Sequence, residues 1–209
     1  MRLVFSACLA VLLLFQVKAQ SEEPKDFELT VDGQQLSINA GETIKTKAKS
    51  GEEIKITLKR SAFSTYSEDT FSFQHRSDLS ISATNISDDI RQILMTSALG
   101  SMTIIQTYKN LNPKSMAQFM LDQLTEDDVK AGATVETNPT TRTLSDGTEM
   151  KGLAATVKLR AKSEVLFEVV TYAVGDGGII AISRIDAEYV SGDQPIIDHF
   201  WKTLKVMKQ

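Results

Sequence analysis

The sequence predicts an α+β fold: an antiparallel β-sheet meander packed by a middle helix and a C-terminal amphipathic helix. Three observations carry that expectation. Runs of alternating or continuously apolar residues are separated by turn signals, which is the pattern of strands. Two stretches, one mid-chain and one at the end, repeat apolar residues at helical spacing. Between them VGDGGIIAI places a glycine-rich turn directly before a β-branched run.

At the N-terminus Arg2 precedes a hydrophobic run from Leu3 to Phe15, and Val17 and Ala19 follow at the spacing a signal peptidase reads. Residues 1–19 are therefore expected to be a signal peptide cut between Ala19 and Gln20. A membrane anchor needs about 20 apolar residues, and this run stops short at Gln16 and Lys18. Cys8 lies near the start of the run, not after it where a lipoprotein signal would carry its acylated cysteine. The expected product is secreted or periplasmic, with no stable membrane span after cleavage.

Cys8 is also the one cysteine of the chain. The mature protein is expected to use no disulfide, thiol nucleophile or cysteine-bound zinc, so a hydrophobic core has to hold it. The formal net charge is −4, and losing Arg2 and Lys18 with the signal makes it more negative. Nucleic-acid binders gather excess basic charge, so nucleic acid is not an expected partner.

Residues 20–26 are polar and read as a flexible leader. Residues 27–60 form an N-terminal β-hairpin segment with turn signals at Asp32-Gly33, Ala40-Gly41 and Ser50-Gly51. Within it Ile54, Ile56 and Leu58 point one way and Lys55, Thr57 and Lys59 the other. The remainder, 61–209, reads as one α/β domain. Its serine- and threonine-rich start, Ser61 to Asp69, is expected to loop over the surface. Phe71 to Ala83 holds two short strands, and Ile93 to Tyr108 a hairpin turning near Gly100 and Ser101. Ser87 could cap a short helix reaching Leu94.

Asn112-Pro113 starts the middle helix, an N-cap residue followed by proline at the first helical position. Met116, Phe119, Met120 and Leu124 make its apolar stripe. Strands follow at Thr140 to Leu144, Met150 to Ala161 and Ser163 to Val174, the first two joined through Ser145 to Thr148. Leu153, Ala155, Val157 and Leu159 should face the core. The strand ending at Val174 is apolar on both faces, so it belongs inside a covered sheet.

Glycines at 175, 177 and 178 raise the question of a phosphate-binding loop. A dinucleotide loop needs a helix after it and a third glycine at the helix contact. That place holds Ile180, and the β-branched run that follows favours a strand. A tight hairpin accounts for the glycines. No cofactor is expected. In the last segment Asp193 and Pro195 mark a helix start, Ile197, Phe200, Trp201 and Leu204 its buried stripe, and Lys202, Lys205 and Lys208 its last turns.

The aromatic strand and turn Phe71 to Ser82, the strand Leu166 to Val174, the hairpin Gly175 to Gly178 and the closing helix with Phe200 and Trp201 resemble the PsbP-like α/β fold. That fold is named for an extrinsic subunit of photosystem II and shared with small bacterial exported proteins such as DcrB. The resemblance covers about two-thirds of the chain by those strand and helix signals. Arg76 stands where the family often has proline. The resemblance implies a non-enzymatic accessory or binding role.

Candidate chemistry is sparse. His75 and His199 are the two histidines, with no metalloprotease helix motif and no nucleophile elbow. No catalytic or metal residue is assigned. Asp186 and Glu188 would share a face if the last strand ran on through Tyr189, with Asp193 beyond; a polar strand end and a helix cap explain them better than calcium. Lys158, Arg160 and Lys162 form an outward basic row that could meet an anionic partner, although charged residues also guard sheet surfaces against mispairing. Met116, Met120 and Met150 read as core filling. Asn85-Ile86-Ser87 matches a glycosylation sequon that a eukaryotic secretory route would read. The expected function is that of an exported, non-enzymatic accessory protein that binds a protein partner. The alternatives are a carrier of a small apolar ligand between sheet and helices, using the methionines and Phe119, and an exported hydrolase.

Overall fold

The structure, a computed structural model, describes residues 25–160 and 163–207. The chain divides into two compact units, one ending at Arg60 and one beginning at Ser61. In the first, β1 (Phe27–Val31) pairs with β2 (Gln34–Ile38) and β3 (Thr43–Lys47) with β4 (Glu53–Thr57), both antiparallel. Side chains alternate along each strand, so Ile44, Ile54 and Ile56 turn inward while the lysines stay in water. Polar ties hold the hairpins together: Thr46 Oγ1 donates to Gln34 Oε1 at 3.0 Å, and the Lys49 amide donates to Asp32 at 2.9 Å.

The second unit is built on a seven-stranded antiparallel sheet in the order β10-β11-β12-β13-β9-β8-β7. Its strands are β7 (Ile81–Asn85), β8 (Ile90–Thr96), β9 (Met102–Tyr108), β10 (Thr134–Thr143), β11 (Glu149–Lys158), β12 (Glu164–Val174) and β13 (Gly177–Asp186). Two helices, α1 (Ala117–Lys130) and α2 (Val190–Thr203), cover it on opposite faces. On the α1 face, Leu121 packs with Phe167, Val169, Ile180 and Ile182. On the other face, Ile197, Phe200 and Trp201 of α2 pack with Met95, Ile105, Val170 and Ala181. Alternate residues of β12 and β13 thus enter different cores, which explains why both strands are apolar throughout.

A small sheet, β14-β6-β5, lies on the α2 side and comprises β5 (Phe63–Ser67), β6 (Phe71–Arg76) and β14 (Lys205–Val206). Here the structure corrects one expectation: Ser61 to Asp69 is not a surface loop but contains β5. Its serines and threonines face water, and Tyr66, paired with Phe73, anchors it with ring centroids 5.7 Å apart. The short helix from Ser87 to Leu94 is absent too. Ser87 belongs to a turn, and Ile90 opens β8, whose register with β9 sets Ile93 and Leu94 on opposite faces.

Both helices start elsewhere than expected. Asn112 accepts from the Lys114 amide at 3.0 Å and caps a 3-10 turn, Pro113–Ser115; α1 begins only at Ala117. Its buried line is Ala117, Leu121 and Thr125, so Phe119 points to solvent instead of into the core. Met116, Met120 and Leu124 flank that line half-buried. The C-terminal helix begins at Val190, ahead of Asp193, and holds Pro195 inside it at the loss of one backbone bond. Its stripe of Ile197, Phe200, Trp201 and Leu204 is buried as expected. Lys205, however, has left the helix and pairs with Ser72 in β14, and Lys208 lies outside the described residues.

The glycine-rich stretch is the β12-β13 hairpin. Val174 pairs with Gly177, leaving Gly175 and Asp176 as a two-residue turn, and Gly175 has the positive φ (56°) that the first position of such a turn demands. Elsewhere a glycine serves packing: a Cβ on Gly152 of β11 would overlap the Val169 carbonyl oxygen and the Val170 Cα of β12. These are backbone atoms, which cannot swing aside as a flexible side chain would. Gly152→Ala is therefore expected to lower stability by about 1–3 kcal/mol, read as an earlier urea midpoint; an unchanged midpoint would contradict this packing.

Candidate functional site

A concavity of about 570 Å³ lies at one end of the second unit, where the small sheet meets the seven-stranded one. Such a volume suits a small ligand or a few side chains of a partner. Thr107 of β9, Tyr172 of β12, Ile179 of β13 and Val206 of β14 form its walls. The β5-β6 turn brings Glu68 and Asp69, and the β7-β8 turn brings Asp88 and Asp89. Against these acids stand Arg91 and Lys109.

The charges inside are largely committed. Arg91 Nε donates to Glu68 Oε1 at 2.7 Å, its Nη1 donates to Asn85 Oδ1 at 2.8 Å, and the Tyr66 hydroxyl donates to the same Glu68 oxygen at 2.6 Å. Glu68 raises the Arg91 pKa, while burial and then Glu68 raise that of Tyr66. The bridge spans the two sheets. Lys109 Nζ donates to the Asp88 carbonyl at 3.0 Å, and Asn110 donates to Asp89 Oδ1 at 2.8 Å. The exposed rim carries Asp69, Asp88 and Asp89 beside Lys109, an acidic balance above half-apolar walls.

The residues singled out in the sequence lie elsewhere. Lys158, at the end of β11, is ion-paired with Glu136 at 2.7 Å, which raises its pKa. Arg160 sits past the strand, with its guanidinium over Gly132 just beyond the C-terminus of α1. There Gly132 adopts φ 92° and its amide donates to the Val129 carbonyl, closing the helix, and a cation suits the exposed carbonyls. Lys162 and the cleavage pair Ala19 and Gln20 lie outside the described residues. The expected basic row is thus divided between an ion pair and a helix end.

The acids at the chain's end separate as well. β13 stops at Asp186, which accepts from Arg184, and Glu188 falls in a 3-10 turn, so the two do not continue one strand face. Asp193 is buried and accepts from the Ser97 hydroxyl, which in turn accepts from the Leu99 and Ser101 amides. That network ties α2 to the β8-β9 turn. No three acids or histidines among the described residues are grouped to hold a metal ion. The described residues also contain no helix long and apolar enough to cross a membrane.

Neither histidine reaches the concavity. His75 Nδ1 lies 2.8 Å from the Arg76 carbonyl, and His199 stacks on Phe63 with ring centroids 4.0 Å apart. Met116, Met120, Met150 and Phe119 do not line it either, so it is not the sheet-helix pocket that an apolar carrier was expected to use. Five separate segments build it. The adjacent Asp88 and Asp89 in a turn were its one local signal, and they do not by themselves indicate a cavity.

No protein-family model matches the chain, and no curated protein matches it in sequence. Among solved structures it is similar to the solution structure of cyanobacterial PsbP (CyanoP) from Synechocystis sp. PCC 6803, with a TM-score of 0.49 and 10% identity over 70% of this chain and 93% of that one. The weak PsbP-like resemblance in the sequence has a weak counterpart in the structure.

His199 supplies a pH prediction. Burial, and secondarily the Lys202 charge, lower its pKa from 6.5, and its Nε2 is buried without a hydrogen-bond partner. The unfolded chain therefore binds the proton first as pH falls. Stability should be complete above about pH 6.5 and decline below it, until the folded form protonates too. His199→Phe, which keeps the stack on Phe63, is expected to flatten that decline in urea titrations between roughly pH 5 and 7; an equal slope in both proteins would remove His199 as its cause.

Proposed function

We propose that this chain is an exported, non-enzymatic binding protein that receives an amphipathic, cationic segment of a partner in the concavity between its two sheets. One observation carries the reading: half-apolar walls of Tyr172, Ile179 and Val206 lie beneath a rim where acids outnumber bases. Apolar walls with a few placed charges favour a ligand having an apolar stem and a basic head. The Arg91-Glu68-Tyr66 bridge supports a preorganised site, because its charges are held before anything binds. The signal-like first 19 residues support export. The hydrolase alternative lacks equivalent support: the Ser97 hydroxyl, which donates to the buried Asp193, is used in bracing α2.

Nitrogen-15 amide spectra of the full mature chain, titrated with octylamine and separately with octanoate, test the proposal. Octylamine is expected to shift Thr107, Ile179 and Val206, and octanoate to leave them nearly still. An Asp69→Asn/Asp88→Asn variant should bind octylamine about five- to tenfold more weakly, each exposed charge contributing up to about 1 kcal/mol. Equal response to both probes would leave an apolar pocket and overturn the cationic preference; no response at these amides would overturn the site itself.

A further inference from the structure

We infer that the outward face of the β3-β4 hairpin is a docking surface for an anionic lipid bilayer. This inference stands independently of the concavity. Thr43, Lys45 and Lys47 of β3 and Glu53, Lys55 and Thr57 of β4 are all exposed and alternate with inward residues, so they share one face. The register sets Lys45 directly opposite Lys55. Like charges directly opposite on one sheet face destabilise it. Glu53, opposite Lys47, is drawn diagonally to Lys45 at 3.0 Å. Lys47 and Lys55 are left with no ion pair among the described residues.

Two further lysines extend the face. Lys59 continues the alternation beyond β4, and Lys49 occupies the β3-β4 connection, both exposed. Residues 25–60 hold seven Lys and Arg against six Asp and Glu, near neutrality, whereas residues 61–209 hold 14 against 19, so the positive charge belongs to the lysine face of this hairpin and not to the chain at large. The chemistry of the face selects the partner. Lysine is a mobile point charge, suited to a diffuse array of headgroup phosphates; arginine's planar fork, which recognises individual carboxylates, is absent from the two strands. No aromatic side chain stands on either strand to stack a base. Thr43 and Thr57 bond to each other at 2.7 Å, leaving the lysines as the groups that face outward for a partner.

Co-sedimentation of the full mature chain with vesicles of phosphatidylcholine alone, or with about one-third phosphatidylglycerol, at low salt tests this. Binding is expected to the anionic vesicles only and to be lost near 0.5 M salt, where the screening length is only a few Å. Lys47→Gln/Lys55→Gln should weaken it on the order of ten- to thirtyfold, since each lysine near such a surface contributes about 1 kcal/mol. Lys114→Gln/Lys151→Gln, in the other unit, should leave it unchanged, and thermal melts of both variants confirm folding. Failure to bind anionic vesicles, or equal loss in both variants, overturns the inference. Retention by polyglutamate or heparin without vesicle binding also overturns it, assigning the face to a soluble polyanion.

Discussion

The second unit depends on the burial of one helix stripe between two sheets. Phe200 meets Phe73 of the small sheet edge-on at 5.2 Å and its own neighbour Trp201 at 4.9 Å. Trp201 reaches the large sheet: its indole N–H points at Ser183 Oγ 3.4 Å away, and the Arg142 guanidinium lies over its ring at 4.9 Å. Arg142 is in turn ion-paired with Glu168, so the cation covering the ring is itself neutralised. Aromatic rings of this size remove the most apolar area from water per residue, and both sheets share in it.

That clamp is fixed at each end of α2. Asp193 and Ser97 hold the first turn against the β8-β9 hairpin, and Leu204 leads straight into β14, where Lys205 pairs with Ser72 and the Met207 amide donates to the Thr70 carbonyl at 2.8 Å. Because β14 is stitched to β6, Val206 and the β5-β6 turn are both held over the end of the large sheet. The concavity exists because of this arrangement, and the Arg91-Glu68 bridge across it uses charges that the clamp has already brought together. Site and core are mechanically one structure there.

Much of the backbone plan was legible from local pattern. The hairpin at Gly175, the meander of the later strands and the stripe of Ile197, Phe200, Trp201 and Leu204 all follow from periodicity and turn chemistry, although β10 starts at Thr134, six residues ahead of the expected Thr140. Where local pattern misled, a tertiary partner decided the outcome. β5 is a strand because Tyr66 finds Phe71 and Phe73, although its composition is that of a loop. α1 buries Ala117 and Thr125, not Phe119, because the 3-10 turn after Asn112 delays the helix and rotates the side that meets the sheet. Arg160 looked like part of a strand row until α1 placed Gly132 beneath it.

The sequence by itself determined which segments alternate, where the chain must turn, and that an apolar helix closes the domain, because these depend on neighbours a few residues apart. It determined the basic face of the β3-β4 hairpin in the same way, through a period of two and a short turn. Only the tertiary structure decided the concavity, since Glu68, Arg91, Thr107, Tyr172 and Val206 are far apart along the chain and acquire a shared environment through sheet order. Electrostatic and packing energies depend on distance in space. No local pattern encodes a distance that the burial of Phe200 creates.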